Sequence, residues 1–134
     1  MNLPDPNALL KSLIAIPSVN PMGRAVSGPE YLEGSICDWL VEFFQKLEVP
    51  YERIEVAPGR ANVIARFDGT GRQTVLLDAH TDTVPIDGMV IPPFEPIERD
   101  GRIYGRGACD DKGGLAAMLA AFARLVLERP AGAM

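Results

Sequence analysis

Histidine is almost missing from these 134 residues, with one copy, and cysteine is scarce, with two. Cys37 and Cys109 lie far apart and in no C-x-x-C pair, so no pattern supports a disulfide framework or a cysteine-rich zinc site. Long apolar runs are also lacking. The most apolar stretch, Leu115 to Leu127, is interrupted by Arg124 and falls short of the roughly 20 residues a membrane span needs. Met1 to Ile16 has neither a basic n-region nor a continuous apolar h-region, so no secretory leader is expected and the cytoplasm is the expected location. Positive charge is not in excess either. The net charge of −5 argues against nucleic acid or an anionic membrane as the main partner. No internal repeat or low-complexity segment is visible.

What is present fits one ordinary domain with a core: 47% hydrophobic and 23% charged residues. Asp5-Pro6 predicts a helix start, followed by Leu9, Leu10, Leu13 and Ile14 on one face and a stop at Pro17. Ser27-Gly28-Pro29-Glu30 has the form of a capping box and predicts a second helix from there. Its apolar positions are Leu32, Ile36, Trp39, Leu40, Phe43 and Leu47, and it ends at Val49-Pro50. Strands are predicted over Tyr51 to Val56 and Asn62 to Phe67, joined at Pro58-Gly59. Thr74 to Ala79 is a short apolar run, which predicts a strand buried on both faces. Short strands near Ile97 and over Arg102 to Tyr104 flank a turn at Asp100-Gly101. A last helix is predicted from Gly113-Gly114 to about Glu128, apolar almost all round and therefore covered on most sides. Helices flanking such strands predict an α/β fold, with helices packed on a mixed β-sheet.

Two constellations carry chemistry. The lone histidine, His80, follows the apolar run directly, and sites in open α/β sheets gather beyond the carboxyl ends of strands. Asp82, two residues on, is placed to fix the imidazole's tautomer and direction, as a metal-bound histidine requires. Alone, a histidine in this place is more often a solvated or hydrogen-bonded loop residue than a ligand. The second constellation is Tyr104-Gly105-Arg106-Gly107-Ala108-Cys109-Asp110-Asp111-Lys112-Gly113-Gly114, with two carboxylates just before a helix. Such a carboxylate either bridges two cations or caps the helix, and Asp111 suits the capping role. The spacing is not that of a phosphate-binding P-loop. Cys109 and Cys37 read as packing residues, and Arg106 as one member of a structural ion pair.

The motifs DAHTDTVP and YGRGACDDKGG, with the intervening Pro-Pro-Phe-Glu-Pro and the early Ile16-Pro17-Ser18-Val19, resemble one family. It is the zinc metallopeptidase and deacylase family of acetylornithine deacetylase, succinyl-diaminopimelate desuccinylase, aminoacylase and glutamate carboxypeptidase. The resemblance implies that His80 is a zinc ligand, that Asp82 orients it, and that Asp110 bridges two metals. It implies a cis peptide bond between Asp110 and Asp111. It further implies two Zn²⁺ ions (Co²⁺ as a substitute), an N-acyl amino acid or small peptide as substrate, and a homodimeric complete protein. Residues 1–134 then correspond to the N-terminal part of a three-layer α/β/α catalytic domain, without the lid and dimerisation domain. The family's consecutive Glu-Glu and its second histidine have no counterpart in this sequence. The expectation is therefore a half-site that is inactive by itself, or a short subunit needing a complementary chain.

Overall fold

Asp5 takes extended backbone and accepts hydrogen bonds from the amides of Asn7 and Ala8, and Pro6 enters the first turn. Those two features start helix α1, Pro6–Ile14, where the sequence places it. The computed structural model describes residues 2–69 and 73–129. Helix α2 covers Gly34–Lys46, the hairpin strands β1 and β2 cover Tyr51–Ala57 and Arg60–Ala65, β3 and β4 cover Ile97–Arg99 and Arg102–Tyr104, and α3 covers Lys112–Glu128.

Helix α1 packs on α3, and α2 packs on the β1–β2 hairpin. One core joins them: Leu9 and Leu13 from α1, Ile36, Leu40, Phe43 and Phe44 from α2, and Leu115, Leu119, Ala123 and Val126 from α3. Trp39 stacks on Phe43, and Phe44 meets Phe122 of α3 edge-on. Both small sheets are antiparallel. Asp100 and Gly101, both at positive φ, close the β3–β4 hairpin as its tight turn requires. Parallel pairing among the described residues is confined to isolated bridges, in which Val19 meets Tyr31 on one side and Thr83 on the other.

The α/β class is borne out, while three local expectations are corrected. Helix α2 begins at Gly34, not in the Ser27–Glu30 region. The backbone before it is already committed: Val19 N donates to Glu30 O and Leu32 N donates to Val19 O. Glu33, at the N-cap position, makes no capping bond, since its carboxylate is held by Arg60. The run Thr74–Ala79 is no strand and is not buried, with Val75 81% and Leu76 83% exposed. A strand needs neighbours to satisfy its backbone, and no described segment pairs with this one. Helix α3 buries one face only, leaving Leu125 and Leu127 exposed.

Candidate functional site

The segment Ser18-Val19-Asn20 positions the first constellation. Thr83 N donates to Ser18 O (2.9 Å) and Asn20 N donates to Thr83 O (2.8 Å), while Ser18 Oγ donates to Thr81 O (2.7 Å). These bonds fix the stretch from Thr81 to Thr83, and with it the direction of His80 and Asp82. The second constellation is fixed from below by Lys112. Its side chain is 1% exposed, and Nζ donates to Leu13 O (2.8 Å) and Ile16 O (2.6 Å), taking up carbonyls at the end of α1. Burial pushes the Lys112 ammonium down to about 8.

The two constellations meet. His80 Nε2 lies 2.9 Å from Asp110 Oδ1. On the other side of the ring, Nδ1 lies 2.9 Å from the Asp82 carbonyl oxygen and 3.3 Å from Asp82 Oδ1. Since a carbonyl only accepts, Nδ1 carries a proton, and Nε2 then faces a carboxylate. Both nitrogens thus point at acceptors, which favours the imidazolium. The hydrogen bond to Asp110 leads in holding the His80 pKa above its usual value, opposed by burial and helped by Asp82. Asp82 is held below the usual carboxylate range. Burial works against this, but the bond from Asn20 and the charges of His80 and Arg60 outweigh it.

The proton between Nε2 and Asp110 marks where a cation would sit. Two ligands of one tetrahedral zinc stand about 3.3 Å apart, given bond lengths of about 2.0 Å. The 2.9 Å pair is just inside that span, so His80 and Asp110 fit as two ligands, with Asp82 as the outer acceptor on Nδ1. Among the described residues no three His, Cys, Asp or Glu side chains are grouped to hold a metal ion. The donor set fits part of a metal centre. The Asp110-Asp111 peptide is cis, as the resemblance implies.

Other expectations fare differently. Asp111 occupies the N-cap position of α3 but makes no side-chain capping bond. Cys109 is exposed rather than packed, whereas Cys37 is buried as expected. Arg106 makes no ion pair among the described residues and donates to Pro85 O (2.8 Å) instead. Three residues around the site were not legible in the sequence: Asn20, Arg60 and Glu33. Asn20 Nδ2 donates to Asp82 Oδ2 (2.7 Å), Arg60 Nη2 lies 3.7 Å from the same oxygen, and Arg60 is held by the 5%-exposed Glu33. No local spacing announces them, because Asn20 and Arg60 reach Asp82 from distant parts of the chain and Glu33 acts on it only through Arg60.

A helix-and-hairpin scaffold that aims a histidine and an aspartate at one point, with an acceptor behind the histidine, fits the peptidase and deacylase class that the two motifs resemble. Residues 76–132 match the model of peptidase family M20/M25/M40. The chain is 34% identical over 131 residues to a succinyl-diaminopimelate desuccinylase of Delftia acidovorans, covering 92% of this chain and 31% of the relative. A succinyl-diaminopimelate desuccinylase of Herminiimonas arsenicoxydans is 36% identical over 126 residues, covering 92% and 30%. Over most of its own length the chain is therefore similar to members of this peptidase and deacylase family, and it spans about a third of the length of these curated relatives. No helix among the described residues is long and apolar enough to cross a membrane.

Proposed function

We propose that this chain carries the His80–Asp82–Asp110 part of a cytoplasmic, metal-dependent hydrolase that cleaves the amide bond of N-acyl amino acids or small peptides. The observation that supports the reading is the 2.9 Å meeting of His80 Nε2 with Asp110 Oδ1, from motifs 30 residues apart, with Asp82 behind the ring. His80 offers the Nε2 lone pair, and Asp82 keeps the ring proton on Nδ1. Asp110, 83% exposed in its side chain, offers one oxygen beside His80 and a second for a neighbouring ion. His80 and Asp110 would hold part of a pair of divalent ions, Zn²⁺ by preference with Co²⁺ as a substitute, which when bound would supply Lewis acidity for amide hydrolysis. A general base and the remaining ligands must come from residues other than these, since the sequence has no Glu-Glu pair and no second histidine. In the complete protein we place this segment at the start of the catalytic domain of a homodimer.

Two ligands are fewer than the three a catalytic zinc normally takes, so the 134-residue chain is expected to bind metal weakly and to leave acetylated and succinylated amino acids intact. Titration with Co²⁺, followed by its visible spectrum, checks this: His80→Ala abolishes the signal, and Asp82→Ala weakens binding by about 10- to 100-fold. Turnover by the chain alone overturns the expected inactivity, and cobalt binding indifferent to His80 overturns the reading. A second reading, a short subunit that works only with a complementary chain, is favoured by one observation: the exposed apolar run Val75-Leu76-Leu77.

A further inference from the structure

We infer that Asn20 and Arg60 are positioning residues for His80: by bond and by charge they keep the outer oxygen of Asp82 turned away, so that its inner oxygen adds to the backbone carbonyl in favouring the imidazole proton on Nδ1 and leaves Nε2 to face the site. The inference deepens the role given to Asp82 and rests on it.

Asp82 has two carboxylate oxygens with separate tasks. Oδ1 lies 3.3 Å from His80 Nδ1. Oδ2 takes a 2.7 Å bond from Asn20 Nδ2 and lies 3.7 Å from Arg60 Nη2. Neither holder is itself loose. The Asn20 backbone bonds Thr83, and its Oδ1 accepts from Met22 N (2.9 Å), which fixes the orientation of the amide. Arg60 opens β2, and its Nε bonds both oxygens of the buried Glu33 at 3.0 and 3.2 Å. Glu33 thereby fixes the guanidinium without reaching the site. The line Glu33–Arg60–Asp82–His80 runs from the start of α2 through the β1–β2 hairpin to the metal-facing nitrogen.

The arrangement matters because solvated neutral imidazole prefers its proton on Nε2, the nitrogen that has to be bare to bind a cation. The protein must reverse that preference, and an acceptor reverses it only while it stays in place. A carboxylate held by one contact swings about its side-chain torsions. Held through Oδ2 by the Asn20 bond, and drawn to the same side by the Arg60 charge, it stays facing the ring.

The single histidine makes the test direct. The full chain, ¹⁵N-labelled and carrying Asp110→Ala so that nothing competes for Nε2, is studied at about pH 9, where long-range ¹H–¹⁵N correlation reads the neutral ring's tautomer. The Nδ1–H form is expected to dominate. Adding Asn20→Ala or Arg60→Met is expected to raise the Nε2–H fraction, with the Asp82 backbone carbonyl still holding part of the Nδ1–H form, while Arg60→Lys, which keeps the charge, leaves the fraction unchanged. An unchanged Nδ1–H fraction in Asn20→Ala and Arg60→Met, while Asp82→Ala lowers it, overturns the inference alone. An unchanged fraction in Asp82→Ala as well overturns the underlying role of the Asp82 carboxylate. Amide dispersion reports folding, and if Arg60→Met unfolds, Asn20→Ala decides the matter by itself.

Discussion

At the scale of single residues, the site was legible as chemistry but not as support. His80 and Asp110 stand out because their types and neighbours are unusual, and the fold brings them within 2.9 Å. Glycines beside them are legible only in part. Gly107 has a φ of +78°, and a β-carbon there would lie 2.7 Å from Thr83 Cγ2 and 3.2 Å from Lys112 Cδ. Thr83 is locked to Ser18 and Asn20, and Lys112 to the end of α1, so neither moves aside easily. Gly107→Ala therefore combines an unfavourable backbone conformation with overpacking, and is expected to cost about 2–4 kcal/mol. Urea denaturation of the two chains checks it, and a loss under about 1 kcal/mol shows that the crowding is relieved locally. Asn20, Arg60 and Glu33 could not be found in this way. Their meaning depends on contacts across 22 to 62 positions of sequence, which no local pattern encodes.

Among elements, legibility follows how local the cause is. Helix α1 starts where Asp5 and Pro6 place it because the cap acts on amides two and three residues away. Asp5→Ala removes both bonds and is expected to lower stability by about 1 kcal/mol, read as a drop in the thermal midpoint with no change in the His80 ring signals. An unchanged midpoint means that solvent satisfies those amides equally well. Helix α2 shows the opposite case. Ser27 and Glu30 have the right local form, yet a distant strand-like segment around Val19 claims the backbone of Glu30 and Leu32 first. The helix then begins at Gly34, beyond the reach of that pairing. The hairpins were legible because Pro58-Gly59 and Asp100-Gly101 specify their own turns.

For the whole molecule, the run before His80 separates what composition says from what the described residues supply. Val75, Leu76 and Leu77 have the make-up of a strand covered on both faces, and such burial would contribute about 1.5–3 kcal/mol for each leucine. They are instead exposed, at 81%, 83% and 47%, and the β1–β2 hairpin adds Ile54 and Val56 to the apolar surface. A lysine at position 76 is then a substitution at the surface. Leu76→Lys is expected to change stability by less than about 0.5 kcal/mol and to reduce both dye binding and self-association of the isolated chain. Denaturation, dye fluorescence and light scattering measure the three effects. A loss above about 2 kcal/mol would mean that residue 76 is covered in solution by the chain itself or by a second copy. If a complementary polypeptide restores strong metal binding at His80, the same lysine should weaken that association, because the residue would then enter the core between the two chains. The direction of the Leu76→Lys effect, alone and with such a partner, therefore tells whether the strand character of this run belongs to the 134 residues or to the assembly that completes the site.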